Sequence, residues 1–157
     1  MDKISFNFNN KTAVITGGAQ GFGLDIAKRF LNSGAKVIIW DIDPEMIEKS
    51  SKELNNPNLS SNIVDVSNFK EVEKCVNEII KNSNIDILIN NAGITGPTAT
   101  LWEYDIEMWK KVVDINLMGT FNCCRSVVPY MIKNNYGRIV NVASVAGKDG
   151  NANASAY

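Results

Sequence analysis

Three glycines and one aspartate have the spacing that most directly suggests chemistry. In TGGAQGFG, Gly17, Gly21 and Gly23 follow a short apolar run and open a stretch of helical periodicity. At such a junction glycine lets the main chain turn tightly and approach a pyrophosphate, while the free N–H groups and dipole of the following helix favour its negative charge. Asp41 closes the next apolar run, KVIIWD, eighteen residues after Gly23, where an acid comes within reach of adenosine ribose hydroxyls. Each signal has a plainer reading, as a tight turn or as a strand-end turn residue helped by Asp43 and Pro44. Their agreement favours a dinucleotide. The Asp41 carboxylate would repel a 2′-phosphate, and neither Gly18 nor Ile42 offers a compensating cation, so NAD is expected over NADP.

Other chemistries are excluded by composition. There is no histidine, which removes Ser-His-Asp and Cys-His catalysis and the commonest metal ligand together. Three cysteines, Cys75, Cys123 and Cys124, lack both zinc-knuckle spacing and the numbers for a disulfide framework, and read as ordinary helix residues; no metal is expected. Sixteen basic against seventeen acidic residues, a formal charge of −1, offer no basic stripe for nucleic acid or for an anionic membrane, leaving a small molecule as the expected partner. MDKISFNFNNK has no apolar run behind a positive start, and no stretch approaches the roughly 20 apolar residues of a membrane span. A cytoplasmic enzyme is expected.

The elements that must position these residues alternate. KTAVIT, KVIIWD, SSNIVDV, DILIN and GRIVNVAS read as strands, separated by helical periodicity over 22–33, 44–54, 68–82 and 105–134, with a loop at about 92–104. This is an α/β pattern, expected to form a parallel sheet covered on both faces. At 157 residues one domain is expected. Gly34 is placed as a helix C-terminal cap, Asp43 and Pro44 as an N-cap and first helical residue, and Pro57-Asn58 as a turn. Pro129 should end or bend the fourth helical stretch, or Tyr130 to Asn134 continue it as another turn.

The glycine spacing is G-x-x-x-G-x-G, and NNAG follows at Asn90 to Gly93. With these motifs the chain resembles the short-chain dehydrogenase/reductase family over essentially its whole length. Asp65-Val66, after the third strand, is similar to that family's adenine-contacting position. Asn116 is similar to its helix asparagine, and Ser144 and Tyr157 resemble its catalytic serine and tyrosine in spacing. Taken singly, the asparagines read as turn formers or a polar helix face, and Ser144 as a strand-end hydroxyl; their joint order is what the family accounts for. The resemblance implies a Rossmann-type doubly wound parallel sheet. It implies cofactor-binding roles for Gly17, Gly21, Phe22, Gly23, Asp41, Asp65, Val66, Asn91, Ala92 and Gly93, and catalytic roles for Asn116, Ser144 and Tyr157.

Hydride exchange between a secondary alcohol and NAD needs a base for the hydroxyl proton, a donor to the developing oxyanion and rigid placement over the nicotinamide. The family's mechanism implies that Tyr157 exchanges the proton, Ser144 hydrogen-bonds the substrate oxygen, and Asn116 helps hold a water that relays the proton outward. It also implies a lysine one helical turn beyond the tyrosine, a position past the last residue here. On that resemblance 1–157 is expected to be one partial NAD(P)-binding Rossmann domain. It would lack the later strands, the helix begun by Tyr157 and the substrate lid, would be inactive alone, and would belong to a homo-oligomeric parent. The polar segment KDGNANAS points to a polyol, sugar or sugar-acid substrate. The same segment and GITGPTA also resemble 3-oxoacyl-acyl-carrier-protein reductases, which typically favour NADPH, so Asp41 argues modestly against that alternative. A non-catalytic dinucleotide-binding module is the reading from another class.

Overall fold

In the computed structural model, which describes residues 6–157, five short strands alternate with helices. The first five residues of the amino-terminal stretch considered above lie outside the described residues. The strands are β1 (Thr12–Thr16), β2 (Lys36–Asp41), β3 (Leu59–Ile63), β4 (Ile87–Asn90) and β5 (Arg138–Asn141). All pair in parallel, in the order β3-β2-β1-β4-β5. β1 pairs with β2 and β4, so the order reverses at its carboxyl end, and a doubly wound sheet opens a crevice at such a point.

Alternation along the strands divides the core in two. Ala13, Ile15, Val37 and Ile39 face one way, onto Ala27 and Leu31 of α1 (Gly21–Asn32) and onto Leu54 of α2 (Pro44–Leu54). Val14, Ile38, Trp40 and Leu88 face the other way. They meet Val72 and Val76 of α3 (Phe69–Ile79) and Cys123 and Val127 of α5 (Gly119–Lys133). Strands buried on both faces explain why these runs read as almost continuously apolar. The chain therefore has a Rossmann-like α/β fold.

Helix boundaries follow local chemistry. Asp43 accepts from the N–H groups of Glu45 at 2.9 Å and Met46 at 3.1 Å, with Pro44 as the first helical residue. Gly34, just beyond α1, has φ +87°, where a side chain would be strained.

Several expectations need correction. The third strand stops at Ile63 and the fifth at Asn141, short of Val66 and Ser144. The cause is the partner: β2 ends at Asp41 and β4 at Asn90, so the last ladder bonds are Val64 N–H to Asp41 O at 2.9 Å and Val142 N–H to Asn90 O at 2.8 Å. The helical stretch 105–134 is three pieces in succession: α4 (Ile106–Val113), a π turn over Asp114–Met118, and α5. Of the outcomes left open at Pro129, the structure has the continuation: α5 runs one turn further, to Lys133. Val127 and Met131 are buried against the sheet on either side of it, while Pro129 faces solvent, where water can meet the carbonyl it leaves unbonded. The sheet is not covered throughout, since all four residues of β5 are exposed.

Candidate active site

The crevice lies where β1, β2 and β4 end. Gly17 turns the chain out of β1 with φ +60°, and a Cβ there would stand 3.0 Å from both Ala92 Cα and Asn91 Nδ2. At Gly23, on the first turn of α1, a Cβ would collide with the Gly17 carbonyl. Gly21 differs: its φ is +53°, but open space surrounds it, so glycine is required by conformation and not by crowding. Phe22 projects outward, 80% exposed. Gln20, the N-cap of α1, makes no side-chain capping bond, and the first turn carries no acid. A helix start left this way presents its N–H groups to an anion.

The asparagine motif is fastened to the glycine turn. Thr16 Oγ1 accepts from the N–H groups of Asn91 and Ala92, both at 3.0 Å. In return Asn91 Nδ2 donates to the carbonyls of Thr16 at 3.0 Å and Gly17 at 3.1 Å. Sequence reasoning passed over Thr16, although a buried hydroxyl closing an apolar strand was the available signal. Asn90 points elsewhere, donating to Asn141 Oδ1 at 2.8 Å and so tying β4 to β5.

Asp41 is 8% exposed. One carboxylate oxygen accepts from Ala19 N–H at 3.1 Å and the other from Asp43 N–H at 3.3 Å, which orients the group beside the glycine turn. Across from it, Asp65 Oδ1 accepts from Ser67 N–H at 2.9 Å and from Ser67 Oγ–H at 2.7 Å.

Gly17, Asp41, Asp65, Val66 and Asn91 to Gly93 line one cleft of about 290 Å³, with Trp40, Val64 and Ile115 as apolar wall. None of these three wall residues was singled out from sequence, because each also fits its strand or helix as ordinary core. An apolar wall, two carboxylates that can accept from hydroxyl or amino groups, and a glycine turn that leads into bare helix N–H groups form a set that fits a dinucleotide.

The expected catalytic residues lie outside that lining. Asn116 sits in the π turn, where its Oδ1 accepts from Ile94 N–H and its Nδ2 donates to Ile94 O, both at 2.9 Å. Both ends of the amide are thus committed to the loop that follows NNAG. Ser144 comes after β5, and its Oγ accepts from Ala146 N–H at 3.2 Å at the start of α6 (Ala146–Asp149). Tyr157 is 42% exposed. Among the described residues, no hydrogen bond joins Ser144 to Tyr157. A lone parallel bridge between Ala99 and Ala154, with Ala99 N–H donating to Asn153 O at 3.0 Å, lays the segment before Tyr157 along the loop that Asn116 braces.

Burial pushes the Cys75 thiol up to about 11 and the Cys123 thiol up to about 12. Among the described residues no group of three or more His, Cys, Asp or Glu side chains could hold a metal ion, and no helix is long and apolar enough to cross a membrane.

Comparison with known proteins agrees with this geometry. The chain is 40% identical over 158 residues to 2-dehydro-3-deoxy-L-rhamnonate dehydrogenase (NAD(+)) of Sphingomonas sp. (strain SKA58), covering 100% of this chain and 63% of that relative. It is 40% identical over 151 residues to the 3-oxoacyl-acyl-carrier-protein reductase FabG of Rickettsia typhi, covering 96% and 61%. Among solved structures, an NAD+-bound xylitol dehydrogenase superposes with a TM-score of 0.90 at 34% identity, over 96% of this chain and 59% of that one. The chain thus spans about three fifths of the length of these relatives. A family profile described as short chain dehydrogenase matches residues 11–157, and the chain belongs to the short-chain dehydrogenase family.

Proposed function

We propose that the protein is an NAD-dependent oxidoreductase that moves a hydride between the cofactor and a secondary alcohol or ketone, with a polyol, sugar or sugar acid as substrate. The observation that carries this reading is the buried Asp41 carboxylate, held by Ala19 N–H beside a glycine turn that cannot accept a Cβ at Gly23. An acid so placed accepts from both ribose hydroxyls and repels a 2′-phosphate. The names of the rhamnonate and xylitol dehydrogenases support both the cofactor and the substrate class.

In this reading Asp41 holds the adenosine ribose, Asp65 and Val66 hold the base, and Gly17, Gly21, Phe22 and Gly23 carry the pyrophosphate at the start of α1. Asn91, Ala92 and Gly93 form the wall behind it. When bound, NAD supplies the hydride acceptor. Tyr157 exchanges the hydroxyl proton and Ser144 donates to the substrate oxygen. Asn116 spends its amide on Ile94, so a relayed water falls to its main-chain carbonyl, which also accepts from Thr120 Oγ at 3.0 Å.

Steady-state kinetics of the full-length protein with NAD and NADP on polyols, sugar acids and a 3-oxoacyl thioester test the assignment. Turnover of sugar-type substrates with NAD, at a kcat/KM well above that with NADP, is expected. The second reading, a 3-oxoacyl-acyl-carrier-protein reductase, is favoured by relatives such as the Rickettsia enzyme. Preference for the thioester with NADPH would establish it in place of the first.

A further inference from the structure

The turn carrying Asp65 and Val66 lies beyond the last ladder bond of β3. A segment without strand pairing takes its orientation from other bonds: Glu71 Oε2 accepts from Asp65 N–H at 3.1 Å, Asp65 O accepts from Asn68 N–H at 3.0 Å, and the carbonyls that follow are held by a side chain of α5. Asn122 on α5 is 4% exposed, and its Nδ2 donates to the main-chain oxygens of Val66 at 2.9 Å and Ser67 at 3.2 Å. One turn earlier on the same helix, Gly119 leaves room for Val66, since a Cβ there would stand 2.7 Å from Val66 Cγ2. Asn122 itself does not line the cleft, whereas Asp65 and Val66 do.

We propose that Asn122 is a positioning residue that sets base selectivity, by holding the Asp65–Val66 segment in the one orientation that matches an adenine edge. This rests on the cleft's being the dinucleotide site. Among the described residues Val66 N–H has no hydrogen-bond partner, and the bonds from Ser67 all fall on Asp65 Oδ1, leaving Oδ2 open. A free N–H beside a free carboxylate oxygen complements the N1 acceptor and the amino group of adenine. Hypoxanthine reverses both groups, with an N1–H donor and a carbonyl, and so mismatches both. Fixing the Val66 carbonyl fixes the peptide plane that follows it, and with it the turn on which both recognition groups sit.

The test is calorimetric titration of the protein with AMP and with IMP. Wild type should prefer AMP by about tenfold or more. Asn122→Leu removes the donor, and Asn122→Asp replaces it with an acceptor facing two carbonyls. Each should bring the AMP to IMP affinity ratio to within about threefold of unity, mainly by weakening AMP. Asn122→Gln retains an amide displaced by one methylene, so its ratio should fall between wild type and Asn122→Leu, and it serves if the other two do not fold. A merely structural role would lower the melting temperature and leave the ratio in the folded fraction unchanged. An unchanged ratio in the folded variants overturns the inference. Failure of wild type to bind either nucleotide instead overturns the assignment of the cleft.

Discussion

Asp41 shows how much one carboxylate can do when its neighbours hold it still. It is tied to Ala19 N–H on the glycine turn, so Asp41→Ala should act in two ways, removing the repulsion of a 2′-phosphate and loosening the turn. We expect kcat/KM with NAD to fall and the NAD to NADP ratio to narrow by about tenfold or more, which parallel kinetics with the two cofactors would measure. Tyr157→Phe removes a single hydroxyl, and in the full-length protein it should abolish most of kcat with NAD affinity within about threefold of wild type. Ser144→Ala should lower kcat less completely. Near-normal turnover by Tyr157→Phe would show that another group exchanges the proton.

The glycine turn and the two helices behind the cleft give separate expectations for elements. Gly23→Ala puts a methyl group into the Gly17 carbonyl, between two elements that cannot both move. Gly21→Ala meets nothing and pays only for its positive φ, about 1 kcal/mol. Thermal melts should therefore show a small loss for Gly21→Ala and a several-fold larger one for Gly23→Ala, with nucleotide affinity lost in the latter. On the helices, Cys75 and Cys123 are buried and their thiols lie well above the ordinary range, at about 11 and 12. Native protein at pH 8 should react with iodoacetamide first at the half-buried Cys124, and at the other two only after unfolding. Peptide mapping checks this order; early labelling of Cys123 would mean that α5 opens readily.

At the scale of the molecule, apolar surface is unevenly distributed. Val140 of β5 and Leu117, Phe121 and Ile132 along the π turn and α5 are all more than half exposed. Exposed apolar side chains of this size favour association where they lie together. We expect the 157-residue polypeptide to bind a hydrophobic dye such as ANS and to self-associate, as read by light scattering after size exclusion. A dye-silent monomer at high concentration would count against this.

Much of the scaffold was legible before any coordinates, because alternating apolar runs and helical periodicity are local properties. The helix over 44–54 and the strand KVIIWD have the expected limits. Local capping explains why: Asp43 and Pro44 start one, and the turn at Asp41 ends the other. The glycine turn was legible for a local reason too, since Gly17 and Gly21 take a positive φ that few other residues supply, whereas Asp41 and NNAG were legible by their spacing along the chain. What tertiary structure decided was everything set by a partner distant in sequence. The ends of β3 and β5 follow from where β2 and β4 stop, the course of α5 past Pro129 from the burial of Val127 and Met131, and the commitment of both ends of Asn116 from its meeting with Ile94. Thr16 and Asn122 carry no motif, and their bonds to Asn91 and Val66 exist only because folding brings residues 75 and 56 positions apart within 3 Å.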